Sequence, residues 1–382
     1  MLPFGNSPHV TANRALSGGT CINKRGYIMG KRMFLVLVAV LLLFAAHSVT
    51  NAADTIKLKF ANYFPATHKV SAIFDQFSQE INKRGGGKVE VSYYAGGTLL
   101  TAPKMAAGVA TGIADIGLSH LAYTRGRFPV MEAMELPLGF PSGYIGTHVA
   151  GEFYDKVKPK EWDQFQPLIF SFSPPCGLQS VNKPVRTLEE LKGMKIRGTG
   201  RIGDLVKALG ATPMPLEMVD LYEALRRGVI DGNYGALETL KGFKTGEIIK
   251  YVTATWQIGV SYTFYVAMNK QKWDGLPPDM KKLFVDVSNE FRGKWAVEWN
   301  MIDLEGAEFL KSRGGQILNI SDAEGAKWVR AAQPVVTDFK KDLASKGFNE
   351  SEVDTWVAFI KERIEYWKGQ EKANKVPSAY QY

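Results

Sequence analysis

Polar and apolar residues alternate in Ile56-Lys57-Leu58-Lys59-Phe60-Ala61, the period-two pattern of a strand with one buried face. A turn follows at Tyr63-Phe64-Pro65-Ala66-Thr67-His68. The apolar positions Val70, Ile73, Phe74, Phe77 and Ile81 then recur at helical spacing, and Gly85-Gly86-Gly87 ends the helix. Alternation returns in Val89-Glu90-Val91-Ser92-Tyr93-Tyr94. Strand, helix and strand in this order predict a β-α-β unit and an α/β fold built on parallel strands.

Further along, the pattern echoes itself. A helix from Met105 stops at Gly112 before Ile113-Ala114-Asp115-Ile116-Gly117, and a helix from Leu221 stops at Gly228 before Val229-Ile230-Asp231-Gly232. Each enters a short strand through glycine, a branched apolar residue, a variable residue and aspartate. Two similar α/β halves are predicted, with loops at the strand ends, where such sheets hold ligands. A second block opens at Pro174-Pro175. It contains a helix at Leu188–Lys192, a strand at Met194–Arg197, a helix from Asp204 to Leu209 and another over Met218–Arg227, and strands resume near Ile258–Met268. The C-terminal third is helical over Met280–Lys311, Ala323–Leu343 and Glu350–Lys368, and residues 371–382 read as a frayed tail.

The N-terminal pattern is of another kind. Lys31-Arg32 precede an unbroken apolar run from Met33 to Ala46, and small residues follow up to Ala52. This is a secretory signal peptide over residues 29–52 with cleavage near Ala52; the run is short of the roughly 20 residues that span a bilayer. No cysteine sits there to carry a lipid anchor. Residues 1–28 read as an upstream extension, with Met29 the true start. Of the 47 Lys and Arg, five lie in residues 1–52, and none of the 38 Asp and Glu does, which leaves 42 bases against 38 acids and a net charge of +4. That balance removes the case for nucleic acid. The remaining chain of about 330 residues is long enough for two domains. It keeps one cysteine, Cys176, expected as a buried apolar residue, and three histidines without metal-ligand spacing, so no metal or other cofactor is expected.

Gly198-Thr199-Gly200-Arg201-Ile202-Gly203 matches G-x-G-x-x-G, the dinucleotide fingerprint. The strand before it is short and charged, it lies deep in the chain, and an exported protein meets no maintained nicotinamide pool, so the match is discounted. Arg197 ends the same strand. A guanidinium beside a glycine-rich turn and a helix start can grip a carboxylate with two parallel hydrogen bonds. The alternative is a surface pair with Glu189 or Glu190. Arg201 is expected on the solvent side of the turn. Ser119-His120 lacks the elbow of a serine hydrolase.

Leu188-Glu189-Glu190-Leu191-Lys192-Gly193-Met194-Lys195-Ile196-Arg197 resembles the D-L-K-G-x-K-[IL]-R core of solute-binding subunits of tripartite ATP-independent periplasmic (TRAP) transporters, the DctP type. Leu209 to Met214, Tyr222 to Leu225, Gly228 to Gly232, Gly108 to Asp115, Phe128-Pro129 and Leu136 to Leu138 continue the likeness in order across residues 54–345. The resemblance implies a two-domain, periplasmic-binding-protein-like clamp with strands crossing between the domains, 54–174 with 264–305 and 175–263 with 306–370. It implies a periplasmic, non-enzymatic receptor, expected to be monomeric, that passes a small organic acid to TRAP membrane subunits. Arg197 falls at the family's carboxylate anchor. Ser119, His120 and Tyr123, with Asn233, Tyr234 and Glu238, fall where the family lines its pocket, and the aromatics Tyr63, Phe64 and Trp256 join them as candidates. Family members that bind sialic acid carry an arginine where this chain has Gly177 and an asparagine at Gly235, so a large sugar acid is not expected. An exported enzyme using the same cleft, or a co-receptor presenting ligand to a sensor, are the alternative readings.

Overall fold

A computed structural model describes residues 54–380; the expected signal peptide, its cleavage site and the upstream extension lie outside the described residues. The first α/β half runs β1 (Ile56–Asn62), α1 (Lys69–Gly85), β2 (Val89–Tyr94), α2 (Met105–Ala110), β3 (Ile116–His120), α3 (Gly143–Val157) and β4 (Phe165–Phe172). The second runs β5 (Gly177–Ser180), α4 (Leu188–Leu191), β6 (Lys195–Arg197), α5 (Gly200–Ala208), β7 (Thr212–Met214), α6 (Leu221–Arg226), β8 (Gly232–Gly235), α7 (Glu238–Gly242) and β9 (Tyr251–Thr253). The chain then returns through β10 (Thr263–Asn269), α8 (Lys270–Asp274), α9 (Pro278–Ser312), β11 (Gln316–Leu318), α10 (Asp322–Ser345) and α11 (Glu350–Ala373).

These strands form two sheets, in the orders β2-β1-β3-β10-β4 and β11-β9-β5-β8-β6-β7. Each is mainly parallel, and each contains one antiparallel strand, β10 in the first and β5 in the second. β4 leads into β5, and β9 into β10, so the chain crosses between the sheets at 173–176 and at 254–262. The two crossovers hold each other: Ser173 N donates to Tyr262 O at 3.1 Å and Cys176 N to Val260 O at 2.9 Å. The hydroxyls of Ser173 and Ser261 lie 2.7 Å apart.

The local reasons are visible in the sequence. His68 caps α1 by accepting from Val70 N, and Gly86, at φ +57°, closes it in the left-handed region that favours glycine. The apolar face of α1 meets β1 and β2: Phe60 packs edge-on against Phe74, Phe77 and Tyr93. α9, with 35 residues, is about 52 Å long. Trp295 packs against Phe74 of α1 and Phe264 of β10. Farther along, Asp303 Oδ1 accepts from Glu238 N at 2.8 Å, so one helix touches the surroundings of both sheets. A Cβ on Gly306 would meet Leu237 O at 2.0 Å; only glycine lets α9 come this close to the start of α7.

Two sequence expectations need correction. α11 packs on α3 rather than with the second half: Arg363 pairs with Glu152 and Trp367 stacks on His148 at 3.8 Å. The tail expected to fray beyond 370 is tied down in its described part. Glu371 Oε1 accepts from Ser142 and Asn300. Tyr380 is buried, with its hydroxyl against Asp303 and Pro175 O. Sparse apolar spacing in this segment hid a single aromatic anchor at Tyr380.

Candidate functional site

The C-terminal ends of β1, β3, β6 and β8 converge with the crossovers, the position where α/β sheets present ligand sites. Arg197 ends β6 and its side chain is buried. Nε donates to Leu216 O at 3.1 Å, Nη1 to the Tyr262 hydroxyl at 3.0 Å and Nη2 to the Tyr123 hydroxyl at 3.4 Å. Among the described residues no carboxylate lies within ion-pair distance of it, and neither Glu189 nor Glu190 is its partner. A guanidinium carries five N–H donors, so this buried cation keeps donors to spare.

Arg197 lines a cleft with Tyr63, Phe64, His120, Glu238, Tyr262, Phe264, Phe243, Met218 and Ser173 among others. The cleft has a volume of only about 20 Å³, so its walls lie close together. Those walls are rings: Tyr63 stacks on Phe64 at 4.5 Å, and Phe64 lies 5.7 Å from Phe264 and 5.8 Å from Phe243. His120 sits between Tyr123 at 3.9 Å and Tyr262 at 4.7 Å. Burial, and then the neighbouring Arg197 charge, hold the His120 imidazole well below its usual pKa, so it is neutral near pH 7. Burial, with Tyr123 and Glu238 nearby, keeps the Tyr63 phenol well above the usual range. Arg197 is therefore an unpaired positive charge among neutral rings. Thr199 Oγ1, Asn233 Oδ1 and His120 Nδ1 are buried near Arg197 without a hydrogen-bond partner among the described residues, as are several atoms elsewhere, such as Trp295 Nε1 and Ser288 Oγ.

The predicted residues divide by strand geometry. Tyr63, Phe64, His120 and Glu238 line the cleft, and Tyr123 reaches Arg197. Asn233 stands beside Arg197 in the β6–β8 register, and its amide donates to Gln179 at 2.9 Å. Its neighbour Tyr234 points to the opposite face, where its hydroxyl meets Thr255 at 2.8 Å. Ser119, next to His120, also faces away and donates to Ala102 O at 3.1 Å. Trp256 covers Gly177, whose Cβ would meet its ring at 2.3 Å, and packs on Tyr380. Ser119, Tyr234 and Trp256 are thus not brought into the cleft. Tyr262, Phe264 and Phe243 are, although no sequence signal singled them out.

The glycine-rich turn has a mechanical reason. Gly200 has φ +54°, and a Cβ there would lie 2.5 Å from Ala122 Cβ. Arg201 is not on the solvent side: it is buried against Glu132 and also pairs with Asp204 and Asp342. Burial pushes the Cys176 thiol up to about 12, which leaves it protonated and a poor nucleophile.

A family model described as bacterial extracellular solute-binding protein, family 7 (DctP), matches residues 60–342. A solute-binding protein of Albidiferax ferrireducens is 27% identical over 292 residues, covering 72% of this chain and 84% of the relative. The C4-dicarboxylate-binding periplasmic protein DctP of Vibrio cholerae is 28% identical over 170 residues, covering 44% of this chain and half of that protein. Among solved structures, a TRAP periplasmic solute-binding protein from Desulfovibrio salexigens, in an open complex, is 33% identical with a TM-score of 0.72, over 83% of this chain and 98% of that one. A marine-metagenome TRAP solute-binding protein specific for aromatic acids, in complex with 3-hydroxybenzoate, is 25% identical with a TM-score of 0.77, over 82% and 99%.

Proposed function

The chain belongs to the bacterial extracellular solute-binding proteins of family 7, and from that premise we propose that it holds its solute by the carboxylate, through Arg197. It is a receptor rather than an enzyme, an extracytoplasmic protein that captures a small organic acid for the membrane subunits of a TRAP transporter. The observation that carries the anchor is the buried guanidinium with spare donors and no acidic partner. Burying a charge without a counterion is costly, and a bound carboxylate supplies the counterion. The relatives differ in solute, C4-dicarboxylates in one and aromatic acids in another. The ring walls of Tyr63, Phe64, Phe243 and Phe264 favour a flat aromatic acid.

The receptor works as a monomer whose leader is removed after Ala52. Its halves, residues 54–174 with 264–305 and residues 175–263 with 306–345, bend about the paired crossovers. Solute favours closure by binding the closed form better than the open one.

Thermal-shift screening of the mature protein against benzoate, 3-hydroxybenzoate, succinate and glucuronate tests this reading. A bound acid at 100 times its Kd adds about 2.7 kcal/mol of stability. The aromatic acids are expected to raise Tm, and Arg197→Ala to abolish the rise. A panel in which no carboxylate stabilises the protein would overturn the proposal.

A further inference from the structure

The cleft has a second charged side chain, and its surroundings define what it can accept. Glu238 begins α7 and is buried. Its Oε2 lies 3.0 Å from His68 Nε2. The other ring nitrogen, Nδ1, already accepts the Val70 amide at 3.1 Å as the cap of α1. A neutral imidazole that accepts at Nδ1 carries its proton on Nε2, so His68 donates to Glu238 Oε2 and fixes the orientation of its carboxyl group. The backbone is fixed as well, since Glu238 N donates to Asp303 Oδ1 at 2.8 Å. No donor among the described residues reaches the other carboxylate oxygen, and Glu238 lines the same cleft as Arg197. Tyr63 lines the cleft together with Arg197 and Glu238. Gly242 leaves room for the pair: a Cβ there would fall 2.2 Å from His68 Nε2.

We propose that Glu238, oriented by His68 and not paired with Arg197, selects the solute from within the same cleft: as a carboxylate it receives the hydroxyl of a hydroxylated aromatic monocarboxylate and repels a second carboxylate. This inference rests on Arg197 as the anchor. An acid held at one end by a guanidinium, with its ring against the aromatic walls once the cleft widens to admit it, presents its far substituent to a carboxylate that only accepts. A hydroxyl satisfies that acceptor. A methoxy group brings no donor, and a second carboxylate brings like charge into a site of low dielectric. C4-dicarboxylates are refused on the same ground.

Calorimetry with benzoate, 3- and 4-hydroxybenzoate, their methoxy counterparts, and benzene-1,3- and 1,4-dicarboxylate tests the assignment. One hydroxybenzoate is expected to bind the wild type about 10- to 100-fold more tightly than benzoate, the range of a hydrogen bond to a charged group. Its methoxy counterpart should lose that advantage, and the dicarboxylates should not bind. Glu238→Gln, which keeps the backbone bond to Asp303 and an acceptor for His68, should bring the hydroxyl preference within about threefold and admit a dicarboxylate. A Glu238→Gln variant that keeps both the preference and the refusal would overturn the inference while leaving the anchor intact. So would wild-type protein that binds methoxy- and hydroxybenzoate equally, a comparison that needs no variant. Benzoate binding that survives Arg197→Ala would instead strike at the anchor itself.

Discussion

Arg197 and Arg201 stand four residues apart in one glycine-rich segment, yet their partners give them opposite roles. Arg201 is neutralised by Glu132, Asp204 and Asp342 and holds elements together. Arg197 has only hydroxyls and a carbonyl and is left for an external anion. Arg197→Ala is expected to cost about 3–5 kcal/mol of binding, since it strands a desolvated carboxylate. That corresponds to roughly a 10²- to 10⁴-fold loss of affinity, measured by calorimetry with the best aromatic acid. Arg197→Lys should recover part of it, because an ammonium cannot reproduce the planar fork. Arg201→Ala is expected to lower Tm, so it cannot serve as an inert control. The residue pattern alone left Arg197 open between a carboxylate grip and a surface pair with Glu189 or Glu190; the structure buries it without either glutamate, and its reading as an anchor came from the family resemblance. Ser119 and Tyr234 misled by a single residue: strand side chains alternate, and the parity follows from pairing register, which local sequence does not state.

At the scale of elements, the echoed Gly-x-x-Asp segments proved to be matched devices. Asp115 Oδ2 accepts from Lys59 N at 2.8 Å, and Asp231 Oδ2 from Lys195 N at 2.8 Å, so each aspartate ties its turn to a neighbouring parallel strand. The strands begin later than the pattern suggested, at Ile116 and Gly232, because Ile113 and Val229, apolar but exposed, belong to the turns. Helices with strong periodicity, such as α1 and α9, were legible almost to their ends. Tyr262, Phe264 and Phe243 were not, because they reach the cleft from a crossover, a return strand and a loop, brought there by long-range topology alone. The junction of α9, α7 and the C-terminal segment carries its own pH dependence. Burial pushes Asp303 up to about 8, against the stabilising contact of Tyr380 and the Glu238 amide, and burial pushes Glu135 up to about 8 as well. Both carboxyls hold a proton in the folded state that the unfolded chain gives up near pH 4. Folding stability from these groups is therefore fullest below about pH 4 and declines as pH rises toward 8. Above the ordinary histidine range, where the depressed His120 and His148 no longer oppose the trend, Tm measured from pH 7 to 8 should fall, and Asp303→Asn should lessen the decline, leaving the part due to Glu135 and Glu161. A slope unchanged in Asp303→Asn would mean that this carboxyl titrates normally.

Taken whole, the molecule is two α/β sheets linked by hydrogen-bonded crossovers, with contacts such as His68–Glu238 and Arg125–Asp204 bridging from elements of one half to elements of the other. The narrow cleft lies between the halves that these contacts bridge. On the proposed function, opening would separate these bridges and wet Arg197, and an acid paired with Arg197 would favour the halves coming back together. The expectation of closure came from the family resemblance; the residue pattern alone pointed to the α/β class, which the two sheets bear out, while the helical C-terminal third hid the packing of α11 on α3. Small-angle X-ray scattering of the wild type and Arg197→Ala, each with and without a saturating aromatic acid, tests the central claim most directly. The account predicts that the acid reduces the radius of gyration of the wild type and leaves Arg197→Ala unchanged at the same acid concentration. Equal compaction of both proteins, or no compaction of the wild type when calorimetry shows its site to be full, would contradict it.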